Sequence, residues 1–257
     1  MIESAKSAWF NAWFARHARG RIRRTFGRVL VSGLAETRGA AARSPLLFVA
    51  NHTTWWDALV ALYASELLLG CDGYALMDAS NLRRVPFFRR VGAFGVDPHE
   101  PADGARAIRY AAKLLDAPRR AVWIFPEGRE RSPFGDLELR PGSAQIARVA
   151  RRALVVPVGL RYVFGAAERP DLWISLGPTL AAERDVAVAL VAQRAGIERE
   201  LARITSVVAA RVDARVDARV HDGEVVVAAE GDGFVEVMSR RPSWLGKLAE
   251  RMLARIA

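Results

Sequence analysis

The strongest constraint on the fold is an apolar segment that runs directly into a polar one. Residues 46–50 read Leu-Leu-Phe-Val-Ala, which has the length and composition of a strand buried in a parallel sheet. The next seven residues are Asn51, His52, Thr53, Thr54, Trp55, Trp56 and Asp57. Residues 58–69 are mostly apolar and have the length of a helix. His52 is therefore predicted to lie where a strand ends and a helix begins, the edge at which open α/β sheets form ligand sites.

The spacing of His52 and Asp57 limits how the two side chains can meet. In a regular helix, residues five positions apart point about 140° away from each other, so they touch only if His52 precedes the first helical turn. There the helix dipole favours a neutral imidazole. A carboxylate on one ring nitrogen leaves the other free to accept a proton. By itself, however, this spacing is more typical of an ordinary turn histidine followed by a helix-starting aspartate.

A second apolar run leads into a second polar loop. Residues 121–125 read Ala-Val-Trp-Ile-Phe, and residues 126–132 read Pro-Glu-Gly-Arg-Glu-Arg-Ser. Two such strand ends can form one site when their strands are neighbours in a sheet. In this loop, Gly128 lets the backbone approach a ligand closely, and an arginine can bind phosphate oxygens through two hydrogen bonds.

Together these segments resemble the glycerolipid and lysophospholipid acyltransferases, most closely the 1-acylglycerol-3-phosphate acyltransferase type. The resemblance is carried by N-H-x4-D at residues 51–57, F-P-E-G at residues 125–128 and V-V-P-V-G at residues 155–159. It covers about residues 45–165. It implies an O-acyltransferase that moves a fatty acyl chain from acyl-CoA or acyl carrier protein to the hydroxyl of a lysophospholipid such as lysophosphatidic acid.

The resemblance also implies residue roles. His52 would be the general base and Asp57 its orienting carboxylate, without an acyl-enzyme because the thioester is already activated. Backbone N–H groups at the start of the following helix would stabilise the oxyanion. The residues expected to bind substrate are Asn51, Arg90, Glu127, Gly128, Arg129 and Arg131. No metal is expected, and no cofactor apart from the acyl donor as co-substrate.

The chain departs from the family pattern in two motifs. In the family's second motif an arginine commonly follows the aspartate, but here Asp97 is followed by Pro98. The third motif usually reads F-P-E-G-T-R-S, but Arg129 stands at the threonine position and Glu130 at the arginine position. These departures keep other acceptors open: a lyso-ornithine lipid, a glycolipid or a carotenoid glycoside.

The net charge of +10 allows a protein of another class, a basic nucleic-acid-binding protein. No recognition motif supports that alternative, and nucleic acid is not the expected partner. The basic residues are instead dense within residues 16–28, directly after Trp9, Phe10, Trp13 and Phe14.

Aromatic side chains beside a basic cluster are typical of an amphipathic helix that lies in a lipid headgroup layer. The alternative is that these aromatics pack on the core. No run of about 20 apolar residues is present, so no spanning helix is expected. The single cysteine, Cys71, fits a reducing compartment. We therefore expect peripheral binding to lipids at the cytoplasmic face of the cell membrane.

Alternating strand and helix patterns across residues 46–176 predict an α/β sandwich with a largely parallel central sheet flanked by helices. Three parts are expected along the chain. Residues 1–36 would form amphipathic interfacial helices, and residues 37–180 the acyltransferase catalytic domain. Residues 181–257 would form a helix, a hairpin and an amphipathic helix packed on the same domain.

Overall fold

The computed structural model describes residues 1–165, 167–220 and 232–239. The strands in these ranges are β1 (Arg28–Ser32), β2 (Leu46–Ala50), β3 (Asp72–Asp78), β4 (Ala93–Val96), β5 (Arg120–Ile124), β6 (Leu154–Val163), β7 (Asp171–Leu176) and β8 (Phe234–Ser239). The helices are α1 (Ala8–Thr25), α2 (Leu34–Ala41), α3 (Trp56–Tyr63), α4 (Ala79–Arg84), α5 (Pro101–Leu114), α6 (Gly142–Val149) and α7 (Val186–Val220). A π-helical segment, Ala64–Leu69, continues α3, and a 3₁₀ segment, Pro86–Val91, precedes β4.

The described strands form one sheet in the order β4-β3-β5-β2-β6-β7-β1-β8. From β4 to β6 all neighbours are parallel, as are β7 and β1. The β6–β7 and β1–β8 pairs are antiparallel. The predicted α/β class with a central sheet flanked by helices is confirmed. Because β2 and β5 are parallel neighbours, the loops that follow them start at the same edge of the sheet.

The prediction that residues 1–36 are helical is wrong for residues 28–32, which form β1 inside the sheet. Val29, Leu30 and Val31 are all buried, as expected of an apolar, β-branched run with neighbours on both sides. Gly33 ends the strand with φ of +70°, and a Cβ at this position would lie 2.1 Å from the Leu176 carbonyl oxygen. The amphipathic helical pattern ends with α1 at Thr25, and the apolar run that follows it forms the strand.

The carboxy-terminal part also contributes to the same sheet. β8 pairs with β1, and α7 packs across β6 and β7. The predicted domain boundaries at residues 36 and 180 therefore both lie between strands that belong to the same sheet. Residues 225–231 of the predicted hairpin and the predicted last helix after Pro242 lie outside the described residues.

Two apolar layers cover the faces of the sheet. On one face, Ile22 of α1 and Val60 of α3 pack over Phe48 and Trp123, whose rings stack at 4.4 Å. On the other face, α5, α6 and α7 cover Val49 and the rest of the second layer. Each fully buried side chain of this size contributes about 1.5–3 kcal/mol to folding. None of the helices described is both long and apolar enough to cross a membrane.

Candidate active site

The segment between β2 and α3 brings His52 and Asp57 together. α3 begins at Trp56, so His52 lies before the first helical turn. Its Nδ1 is 2.8 Å from Asp57 Oδ2. The predicted contact between the two side chains is therefore present. The imidazole packs against the ring of Phe125, with 4.7 Å between ring centroids, and remains 21% exposed, whereas Asp57 is fully buried.

Asp57 accepts hydrogen bonds on both carboxylate oxygens. Oδ2 accepts from the backbone N–H groups of Thr53 and Thr54, at 2.8 and 3.1 Å, in addition to His52. Oδ1 accepts from the Tyr162 hydroxyl at 2.5 Å. The two N–H groups and the hydroxyl are donors, and a carboxylate accepts through both of its oxygens. Asp57 is thus an acceptor, so His52 Nδ1 carries the ring proton and Nε2 is left to accept one.

The turn before α3 uses two of its N–H groups within the loop. The Thr53 and Thr54 N–H groups both donate to Asp57, because the carboxylate folds back over this turn. They therefore stabilise the Asp57 carboxylate. Stabilisation of an oxyanion by backbone N–H groups at the start of α3 stays a prediction.

The loop after β5 holds the backbone of His52 from both sides. Glu127 Oε2 accepts from the His52 N–H at 2.7 Å. The Arg131 backbone N–H donates to the His52 carbonyl at 2.8 Å. The two polar loops thus meet as predicted, through main-chain hydrogen bonds centred on residue 52.

Glu127 was predicted to bind substrate, but its position indicates a different role. The side chain is only 3% exposed, and its carboxylate is directed to the His52 backbone. Burial raises the pKa of Glu127. The His52 N–H, the His52 ring and Arg131 act in the opposite direction, and Asp57 adds to the increase. Glu127 therefore fixes the position of the histidine at the cost of burying a carboxylate.

Asn51 was also predicted to bind substrate. Its amide is buried and makes two hydrogen bonds with the backbone of Leu160, accepting at 2.8 Å and donating at 3.1 Å. These bonds attach the start of the loop to β6. Since the amide is occupied by this backbone, we assign Asn51 to positioning the loop.

The remaining loop residues surround Gly128 with arginines. Gly128 has φ of +71°, a backbone conformation that favours glycine. A Cβ here would also lie 3.0 Å from the Arg140 guanidinium. Arg129 is exposed. Arg131 pairs with Glu138, and its buried Nε–H has no hydrogen-bond partner among the described residues. The loop therefore retains a donor beside His52.

Arg90 does not join this group. Its guanidinium lies over the rings of Trp9 and Phe10, at 5.4 and 4.6 Å from their centroids, and its carbonyl accepts from the Ser7 N–H. These contacts assign Arg90 to the interface with α1. Cation–π packing and anion binding both place an arginine near aromatic residues, so the sequence pattern alone does not separate them.

Tyr162 is the residue of the site that the sequence did not reveal. It lies three residues beyond the V-V-P-V-G motif at residues 155–159, on a strand that extends to Val163. The available signal was the apolar alternation of Leu160, Tyr162 and Val163 around Arg161, which continues the strand. Burial raises the pKa of Tyr162 well above its usual value, and Asp57 adds to this increase. The phenol is therefore a neutral donor.

An apolar cavity lies on the α1 side of the sheet. Two of its lining residues, Ala58 and Leu59, follow Asp57 in α3. Its other walls come from α1, β3, β5 and the 3₁₀ segment. Those lining residues include Phe14, Leu62, Ala75, Met77, Phe88 and Trp123. The lining of the cavity is therefore almost entirely apolar.

Fold and site define an α/β protein with a hydrogen-bonded histidine–aspartate pair at the carboxyl edge of its sheet. Residues 28–161, just over half of the chain, match the family model described as Acyltransferase. The chain belongs to this family.

One curated relative shows what members of the family can do. A 1-acyl-sn-glycerol-3-phosphate acyltransferase from Streptococcus pneumoniae (strain ATCC BAA-255 / R6) is 29% identical over 116 residues. The aligned region covers 44% of this chain and 40% of the relative. The chain thus matches less than half of that relative's length.

Proposed function

We propose that the protein is an O-acyltransferase that moves a fatty acyl group from a thioester to the hydroxyl of a lysophospholipid such as lysophosphatidic acid. The observation that carries this proposal is the His52–Asp57 pair, in which the buried carboxylate fixes the proton on Nδ1 and leaves Nε2 as the base. Family membership and the likeness to a 1-acyl-sn-glycerol-3-phosphate acyltransferase support this reaction over nucleic-acid binding.

The reaction needs only proton transfers from the protein. His52 Nε2 removes the proton of the acceptor hydroxyl while its oxygen attacks the thioester carbonyl carbon. The C–S bond then breaks, and the imidazolium returns the proton to the departing thiolate, which leaves an ester and a free thiol. Asp57 stabilises the transient imidazolium. Proton transfer of this kind typically contributes on the order of 10²–10⁴-fold to the rate.

The anionic headgroup of the acceptor is assigned to the arginines of the loop after β5. Arg131 is bonded through its backbone to His52, so its side chain starts beside the base. Its buried Nε–H is a donor without a partner in the described ranges, and phosphate oxygens are suitable acceptors. Arg129 and Arg140 flank the same loop and add positive charge.

The apolar cavity is assigned to the acyl chain. It is walled by aliphatic and aromatic side chains, and its first residues follow Asp57 on α3. A thioester carbonyl at His52 would therefore place the chain directly at this cavity. Filling it with Ala75→Phe should shift the preferred donor to shorter chains, whereas Ala112→Phe on the opposite face of the sheet should leave chain preference unchanged.

Contact with a membrane surface is assigned to α1. Trp9 and Trp13 on this helix are 67% and 54% exposed, whereas Phe14 is buried. Trp55, three residues after His52, is 52% exposed. The basic residues of α1 that are also exposed are Arg16, Arg19, Arg21, Arg23 and Arg24. Exposed tryptophans followed by arginines suit the headgroup layer of an anionic leaflet.

Acyl transfer is tested with purified protein, labelled acyl-CoA or acyl carrier protein, and lysophosphatidic acid. The wild-type protein should form phosphatidic acid, and His52→Ala should abolish its formation with nearly unchanged thermal stability. His99→Ala, which removes an exposed histidine outside the site, is the matched control and should remain active. Turnover of His52→Ala at the wild-type rate would falsify the mechanism. Transfer only to an ornithine or sugar-bearing lipid would replace the acceptor.

Membrane binding is tested by flotation with vesicles that contain anionic phospholipid. Deleting residues 1–36 would remove β1 from the sheet, so substitutions are preferable. Trp9→Ala with Trp13→Ala should reduce the floated fraction. Val188→Ala with Val191→Ala, which removes exposed apolar side chains from α7, should not. Equal flotation of both variants would contradict the assignment to α1.

A further inference from the structure

We infer that Tyr162 is a positioning residue, whose hydroxyl holds the Asp57 carboxylate in the orientation that directs His52 Nε2 at the acceptor hydroxyl. This inference rests on the proposed acyl transfer and extends it to a residue that touches neither substrate. The Tyr162 hydroxyl donates to Oδ1 at 2.5 Å, while His52 is bonded to the other oxygen, Oδ2.

The hydroxyl cannot easily be replaced. Asp57 is fully buried, so water does not reach Oδ1 from the surface. In the described part of the chain, Tyr162 is the donor found on this oxygen, whereas Oδ2 has three. Removing the phenol oxygen would leave a buried carboxylate oxygen without a partner, which is costly for a charged group.

Tyr162 is itself held in place by its surroundings. Its ring lies 5.6 Å from that of Phe26, the residue that ends α1, and its strand is paired with β7. Two residues earlier on the same strand, the Leu160 backbone forms two hydrogen bonds with the side-chain amide of Asn51. The end of β6 therefore forms hydrogen bonds with both ends of the loop, at Asn51 and at Asp57.

The hydrogen bond also affects the basicity of the histidine. A phenol that donates to a carboxylate draws charge from the oxygen that faces the imidazole. Without it, the carboxylate oxygen that faces the ring would carry more negative charge and would bind the imidazolium more tightly. Within the described ranges, the charged and titratable groups that contact this pair are Glu127 and Arg131 from the loop after β5 and Tyr162 from β6.

Tyr162→Phe tests the inference because it keeps the ring and removes only the hydroxyl. We expect kcat to fall about tenfold, with the KM of both substrates nearly unchanged. The acidic limb of the pH–rate profile should move to higher pH. Tyr162→Gln, which restores an N–H donor, should recover part of kcat. Tyr63→Phe, which removes a hydroxyl from another buried tyrosine on the same face of the sheet, is the matched control and should change neither quantity.

The outcomes separate this inference from the proposed function. In one outcome, wild-type protein is active, His52→Ala is inactive, and Tyr162→Phe has the wild-type kcat and pH profile. Tyr162 then has no positioning role, and the proposed function stands. If wild-type protein transfers no acyl group, the proposed function fails. NMR titration of the His52 ring, assigned with His52→Ala, then tests Tyr162 directly. A midpoint that does not rise in Tyr162→Phe overturns the inference.

Discussion

Asp57 and Glu200 are both buried carboxylates that accept a 2.5 Å hydrogen bond from a hydroxyl, yet they lie in different regions. Asp57 is at the carboxyl edge of the sheet, where its partner is Tyr162. Glu200 is in the middle of α7, where it accepts from Ser175, and Ser175 is bonded to Ser32 at 2.8 Å. Exposure does not distinguish them, because it is 0% for Asp57 and 2% for Glu200.

Their neighbours distinguish them. Asp57 is bonded to a partly exposed imidazole, so a proton can pass between the protein and a ligand at its edge. Glu200 is enclosed by serines and by the close approach of β6: a Cβ on Gly159 would lie 2.9 Å from the Glu200 backbone. A buried carboxylate therefore supports chemistry where it orients an accessible base, and elsewhere it joins a helix to the sheet.

The substitution with the largest expected effect is Asp57→Asn, which tests whether the buried carboxylate is needed for acyl transfer. The amide cannot accept from Nδ1, the two N–H groups and the phenol as a carboxylate does, so His52 loses its fixed tautomer. Acyl transfer should fall on the order of 10²–10⁴-fold. Steady-state kinetics with the fold monitored by circular dichroism checks this. Activity close to wild type would show that the histidine acts without its carboxylate.

Glu127 is the intermediate case, since it contacts His52 through the backbone. Glu127→Ala removes the acceptor of the His52 N–H and frees the loop, so we expect kcat to fall by about tenfold or more. Glu127→Gln keeps an acceptor oxygen and should retain most activity. Measured kcat values for the pair decide the matter: equal losses in both variants would mean that the negative charge, not the hydrogen bond, is required.

Glu200→Ala probes the other half of the comparison. It removes the carboxylate that accepts from the Ser175 hydroxyl, whose remaining partner is Ser32, and should lower the free energy of unfolding by about 1–3 kcal/mol. Because Glu200 lies inside the α7 interface, kcat should stay within about twofold of wild type. Urea unfolding and initial rates measure the two effects. A loss of activity without a loss of stability would make the two carboxylates functionally alike.

The smallest effect concerns the pH dependence of stability. Burial raises the pKa of Glu127 above its ordinary 4.5, so the folded state resists ionisation. The contribution of Glu127 to the free energy of unfolding is therefore most favourable below pH 4.5, and it is lost as pH rises through the raised pKa. Glu127→Gln, which stays neutral, should gain stability relative to wild type between about pH 4 and pH 8. A constant difference across this range would contradict the shift.

Local signals in the sequence were sufficient for the centre of the site. The apolar runs before His52 and before Pro126 predicted two strand ends, and the five-residue spacing to Asp57 required a turn before the helix. Both features depend on residues close together in the chain. The α/β class followed from the same alternation of apolar patterns.

Contacts made across the sheet could not be read in this way. Sequence spacing does not tell whether Glu127 faces a ligand or the neighbouring loop, and it was assigned to the ligand. The same holds for Asn51, whose partner is the backbone of Leu160, more than a hundred residues away. The apolar pattern around Tyr162 indicates that the strand continues, but it does not show that this strand reaches the Asp57 carboxylate.

The position of β1 has a consequence for synthesis of the chain. β1 precedes its sheet neighbour β7 by about 140 residues, and β8 follows later still. At about 5–20 residues per second, the strand waits roughly 7 to 28 seconds for a partner. The block from β2 to β6 can assemble during that interval. A nascent chain halted before β7 would carry the apolar Val29–Val31 edge uncovered, a target for chaperones or for aggregation.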